Sequence, residues 1–301
     1  MAQSKKRTKS QRKRQGAQGS GDPQVRHAPS PKTALRPLLA VLRDVVSVAE
    51  SSLGSTPNSS QQLVRFDIQI LTRGTNSLKA VRILLEQGHW EYAIGVTRQL
   101  FELLVNMEHL SACENREKAT LQFARFGLLQ FLLAEQRRLS YDKEKGRPFN
   151  PLHLTEVERH LQGAFADFRA NTKDGSVKWV SSWCRKTTAD LANGSSDPMR
   201  PHQYQILYKV WSEQAHAAPG ALIKEIFRDD DAEDWVEQAV AENESWSKDT
   251  ICFAIMFFLR LWMELPNVKN SPDRIQGWLA ELNRHYYAPA LSPSAAAAGR
   301  N

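Results

Sequence analysis

Apolar residues recur at three- and four-residue intervals through most of the chain, and alternating runs of Val, Ile and Thr are absent. This spacing predicts an all-α protein, a single multi-helix bundle of about eight helices. The stretch from Trp90 to Leu110, WEYAIGVTRQLFELLVNMEHL, is apolar on nearly every side. A helix without a wide polar face belongs in the middle of a bundle. ICFAIMFFLRLWMEL, ending at Leu265, has the same character, and the two are expected to pack side by side.

The remaining elements follow from breakers and caps. A first helix is expected from about Thr33 to Leu53, ended by GSTPNSS. Ser59 or Ser60 can cap a second that runs to about Gln87, with Gly74 a weak point inside it and Gly88 closing it in the left-handed conformation. The central helix then starts at His89 or Trp90, forming an antiparallel hairpin with the second. Asn115 opens a fourth helix whose stripe Leu121, Ala124, Leu128, Phe131 and Leu132 is expected to face the core. A fifth is expected from Thr155 to Arg169, and another over Val177–Leu191, where Trp179 and Trp183 would share one packed face. After the loop NGSSDPMRP comes a short helix ended by Pro219 and Gly220. A long helix follows, opened by the acids Asp229–Asp231, and an amphipathic one over Pro272–His285 closes the body.

Charge divides the chain into three parts. Residues 1–32 hold nine Lys/Arg and one acid, which leaves 31 basic against 32 acidic residues elsewhere. The excess of positive charge therefore belongs to a polar segment, expected to be disordered, and not to the bundle spanning 33–288. Residues 289–301 are expected to fray. Such a basic segment suits RNA or another polyanion; the alternative is a solubilising tail. Cys113, Cys184 and Cys252 are widely spaced, odd in number and show no metal spacing, which points to a reducing, cytoplasmic setting. The first residues lack an apolar run after their charges, so no secretory leader is expected, and no segment is long enough to span a bilayer. Neither a P-loop nor GxGxxG is present, and no cofactor or metal is expected.

Two constellations carry candidate chemistry. Arg98 and Glu102 lie one turn apart inside the apolar central helix, where a charged pair must find partners. They would form a polar pocket, with Arg98 anchoring an anion and Glu102 as an acid–base group, or else pair with neighbours and only fix register. His109, near the end of that helix, where partial positive charge would favour the helix dipole, suits a capping or partly exposed role better than catalysis. Tyr204, Tyr208, Ser212 and His216 recur at intervals of four on the later short helix, beside Ile206, Leu207 and Val210, which would point elsewhere. If the two faces meet, His216 or Glu102 would serve as base, Ser212 as weak nucleophile, and Arg98, Tyr204 and Tyr208 as ligand-binding groups. No strand–turn–helix elbow of the GxSxG kind accompanies Ser212. Helical ribonucleases of the toxin type carry an Arg followed a few residues later by His on a helix. Here Arg147 and His153 are separated by Pro148 and Pro151, which exclude that helix.

RQLFE at 98–102, after EYAIGVT, together with YQILYKVWSEQAH at 204–216 and the earlier Trp179 and Trp183, resembles a bacterial all-helical domain family of unknown function. The resemblance covers roughly residues 60–265. It implies an all-helical protein with Arg98, Glu102, Ser212 and His216 as signature positions, and no established reaction. The function expected is sensing or processing of a phosphate-bearing ligand, a nucleotide or RNA, in a stress or phage-defence setting. The alternative is a non-enzymatic interaction module whose buried polar groups specify the fold. Whether the protein is an enzyme, and whether it forms homo-oligomers, is left open by the residues.

Overall fold

The structure, a computed structural model, describes residues 35–55, 61–173, 175–211 and 235–287. The expected basic tail 1–32, the C-terminal tail 289–301, and Ser212, His216 and Asp229–Asp231 lie outside the described residues.

Nine α-helices and one small hairpin are present among the described residues. Four helices come first: α1 (Arg36–Ser55), α2 (Gln62–Glu86), α3 (Trp90–Ala112) and α4 (Arg116–Glu144). The α2–α3 hairpin turns where sequence placed it, on Gly88 at φ +84°, a backbone conformation that glycine adopts without steric cost. Asn115 caps α4 by accepting from the Lys118 N–H at 2.9 Å. α5 (Pro151–Gly163) starts earlier than expected. Asn150 accepts from the backbone N–H groups of Leu152 and His153, and Pro151 fills the first helical position, where it loses no hydrogen bond. The last long elements are α8 (Trp235–Met263) and α9 (Pro272–Tyr287).

α3 and α8 pack side by side at the centre of the large core, as their apolar surfaces require. Phe101 meets Phe257 with ring centroids 5.2 Å apart, and Trp90 stacks on Trp246 at 5.7 Å. Gly74 is more than a weak point in α2: a Cβ there would sit 3.1 Å from Phe258 and Leu261, so its absence lets α2 approach α8. The buried Asp67 of α2 accepts from Arg116 at the start of α4 and from the backbone and side chain of Asn267 after α8. Its carboxylate thus ties three segments together while its own bonding is satisfied.

Two expectations fail here, for one reason: the chain builds a second, smaller core. Leu129, Leu133 and Leu139 of α4 pack with Leu154, Val157 and Leu161 of α5 and with Phe165 and Phe168. The face of α4 that points inward is therefore, Leu132 apart, not the expected stripe. Leu121, Leu128 and Phe131 are 42%, 51% and 65% exposed. Nor is 177–191 one helix. Arg169–Asn171 (β1) pairs antiparallel with Val177–Trp179 (β2), and α6 (Thr188–Asn193) begins only at the Thr187–Asp190 capping box. Trp179 packs on the small core, whereas Trp183 is buried in the large one.

Candidate functional site

α7 (Arg200–Gln203) leads without a break into a π-helical stretch, Tyr204–Val210. The expected α-helix over the tyrosines is thus a wider i→i+5 turn, a form concentrated at functional sites. It is pinned to α3 by a buried ion pair. Arg200, 1% exposed, donates from Nε to Glu108 Oε1 at 2.8 Å, and its Nη2 lies 2.7 Å from the same oxygen. Asp197 and Gln203 take up the rest of the guanidinium, at 3.2 and 2.7 Å. A guanidinium this deeply buried needs such saturation, since an unpaired charge there would cost several kcal/mol.

So anchored, the π-helix meets the charged pair of α3. Arg98 donates from Nε to Glu102 Oε1 at 3.3 Å, and the Tyr208 hydroxyl donates to the same oxygen at 3.0 Å. The Arg98 guanidinium lies over the Tyr208 ring, 3.8 Å from its centroid, and Tyr204 stacks on Tyr208 at 4.8 Å. Four of the six residues singled out from sequence are therefore brought together: Arg98, Glu102, Tyr204 and Tyr208. Of the apolar residues between the tyrosines, Leu207 is buried and Ile206 is 39% exposed.

Glu102 also opens onto a pocket of about 280 Å³, lined by Arg73, Ser77, Gln99, Glu102, Leu103 and Asn106. Arg73 reaches across from α2 to the Gln99 amide at 3.4 Å. Asn106 donates to the Glu102 carbonyl at 2.7 Å and accepts from the Trp183 indole N–H at 2.6 Å. The loop around Trp183 thereby fixes the floor of the pocket. The π-helical tyrosines reduce the solvent around Arg98, whose side chain is 17% exposed, while Glu102 keeps 37%. Arg98 over the Tyr208 ring and Arg73 at the pocket wall supply guanidiniums, groups suited to planar or tetrahedral anions, on either side of Glu102's bonds.

Sequence reasoning passed over Arg73, Ser77, Gln99 and Asn106. Asn106 follows Glu102 by four residues, so the Arg98–Glu102 spacing continued once more would have found it. His109 is part-exposed, as one of its two expected roles has it. Burial first, and the charge of Lys186 second, pull its pKa below the ordinary 6.5. Its ring lies 5.6 Å from that of Trp183, and the lowered pKa disfavours the cation that a helix-dipole role needs.

A model described as a family of unknown function (DUF5677) matches residues 68–234, more than half of the chain. The chain belongs to that family. The DUF5677 segment runs from within α2 to the residue before α8, and so takes in Arg98, Glu102, Tyr204 and Tyr208 and every residue lining the pocket beside them. α1, α8 and α9 lie outside it, although α8 completes the core against α3. No curated protein and no solved structure is similar enough to count as a match. Among the described residues, no helix is long and apolar enough to cross a membrane, and no cluster of His, Cys, Asp and Glu could hold a metal ion.

Proposed function

We propose that the Arg98–Glu102–Tyr208 cluster and its pocket bind a small phosphate-bearing ligand, a nucleotide or an RNA end. The reading rests on one observation above the others: a solvent-open pocket is lined by one guanidinium, Arg73, and one carboxylate, Glu102, and a second guanidinium, Arg98, is bonded to that same carboxylate. Arg98 and Arg73 would take the phosphate, while Glu102, Ser77 and Asn106 are placed for hydroxyl and amino groups of the remainder. Ser212 follows directly on Trp211, so Ser212 and His216 are the groups that would add a nucleophile and a base, with Glu102, if the ligand is processed and not merely sensed. Residues 1–32 would hold RNA near the body by charge alone, in a salt-sensitive manner. A stress or phage-defence setting agrees with such an activity.

The second reading, a network that only specifies the fold, draws on the same bonds, since Tyr208 and Arg98 both already serve Glu102. Thermal-shift titration with pyrophosphate, nucleoside triphosphates and a 5′-phosphorylated oligoribonucleotide separates the two. A ligand at about 100 times its Kd stabilises by roughly 2.7 kcal/mol, and Arg98→Lys and Tyr208→Phe should reduce that shift sharply at nearly unchanged basal Tm. If no probe shifts the wild type and Tyr208→Phe lowers the basal Tm, the pocket reading falls and the scaffolding reading stands.

A further inference from the structure

α4 turns toward solvent a stripe that no described residue covers. Leu121, Leu128 and Phe131 are largely exposed and Ala124 is exposed between them. Their spacing of three, four and three residues places them on one side of the helix. Gly127 stands beside them, exposed, and a Cβ built on it would meet nothing within 4 Å. Glycine weakens a helix interior, and here no described neighbour requires its smallness. Single exposed apolar residues are ordinary, but a continuous row with room for close approach marks a surface that another helix can cover.

The pattern also indicates which helix. We propose that two copies of this chain associate through α4, antiparallel about a two-fold axis between Gly127 and Leu128. That axis sets Ala124 against Phe131 at the middle of the face, with Leu128 of the two copies meeting on one flank and Gly127, about 100° round the helix, leaving room for close approach on the other. In the central pair a large side chain then faces a small one, as interdigitation requires. Beyond the apolar block the axis brings Glu117 opposite Arg138. Three of the five Arg138 N–H groups serve Glu135 and Asp142, and its side chain stays 58% exposed, so two remain to reach across. Lys118 falls opposite Arg137 by number only, because Arg137 lies about 180° round the helix from Leu128. A parallel pairing would set Phe131 on Phe131 and Arg138 on Arg138. Self-complementarity about one axis is what a two-fold interface demands of a patch, and an unrelated partner would not impose it. A single-helix contact buries on the order of 1,000 Å² in total, the low end for specific interfaces, where weak association is the rule.

Sedimentation velocity on the full chain, from about 1 to 100 μM, tests this. The wild type should shift from monomer to dimer across that range. Leu128→Glu should raise the dimer Kd by at least ~100-fold. Gly127→Leu should also abolish the dimer by filling the gap, while its better helix propensity keeps or raises the Tm, so loss of association cannot be traced to unfolding. Under mild oxidation, Ala124→Cys mixed with Phe131→Cys should form a linked dimer faster than either variant alone, over the wild-type background from Cys113, Cys184 and Cys252. A wild type monomeric throughout, a dimer that survives both substitutions, or Ala124→Cys linking to itself fastest would overturn the proposal.

Discussion

Arg200 is the place where a single atom-scale change should be felt furthest away. Its side chain is 2% exposed, and Glu108 receives both its Nε and its Nη2, while the other Glu108 oxygen accepts from Ser195 at 2.8 Å. Glu108→Ala removes that acceptor and leaves Asp197, 27% exposed, as the one remaining anion on the guanidinium. Breaking a buried pair from one side costs about 3–5 kcal/mol, and because Asp197 persists the lower figure applies here. At roughly 2–4 °C per kcal/mol for a domain of this size, a loss of ~3 kcal/mol lowers the Tm by about 6–12 °C. Urea denaturation followed by circular dichroism measures it, and Glu108→Gln, which keeps the shape and one acceptor, should lose less. Hydrogen exchange supplies the local readout. Amides over 200–211 should exchange faster in Glu108→Ala well below the global transition, since α7 carries the tyrosines directly behind it. A stability change under ~1 kcal/mol would mean that the guanidinium finds water as readily as protein. The account of how the π-helix is held against α3 would then be refuted.

Two further outcomes follow from the packing and from charge. Gly74→Val places methyl groups where a Cβ alone already stands 3.1 Å from Phe258 and Leu261, and should destabilise by about 1–3 kcal/mol through overpacking, read from the denaturation midpoint; a neutral or stabilising result would show that α2 and α8 have slack between them. His109 has a folded-state pKa lowered by burial and by Lys186, so between that value and 6.5 the unfolded chain binds the extra proton. Stability therefore falls as pH drops from 7 through 6.5 toward the folded pKa, and in a Tm series from pH 8 to 5 the His109→Gln protein should lose less than the wild type; parallel curves would contradict the assignment.

Much of the bundle was legible because its signals are local. Gly88, Asn115 and the unbroken apolar run of α3 each fix their own neighbourhood, whatever packs against them. α4 was legible as a helix but not as to its inner face. Leu121, Leu128 and Phe131 make as good a stripe as Leu129, Leu133 and Leu139, and only α5, more than ten residues on, selects the latter. Val177–Leu191 misled because two tryptophans four apart mimic helix periodicity, while the Thr187–Asp190 cap that marks the true start went unweighed. For the site, Arg98 and Glu102 stood out as charges in an apolar helix, and the tyrosines as a polar row. Arg73 and Ser77 carried no comparable mark, since in sequence both read like any solvated residue until α3 is laid beside α2, although Ser77 is buried. Glu108 and Arg200 lie 92 positions apart, and nothing near either announces the other.

The division of apolar side chains into two clusters gives α4 an unusual duty. Its first turns belong to the large cluster through Ala119, and its later ones to the small cluster through Leu129, Leu133 and Leu139. It acts as a beam with one end set in masonry and the other carrying an outbuilding. Loosening α5 would free the far end of the beam and deform its outer surface, yet leave Gln99, Glu102 and Glu108 of α3 undisturbed, because those are braced by Arg73 of α2, by Tyr208 and by Arg200.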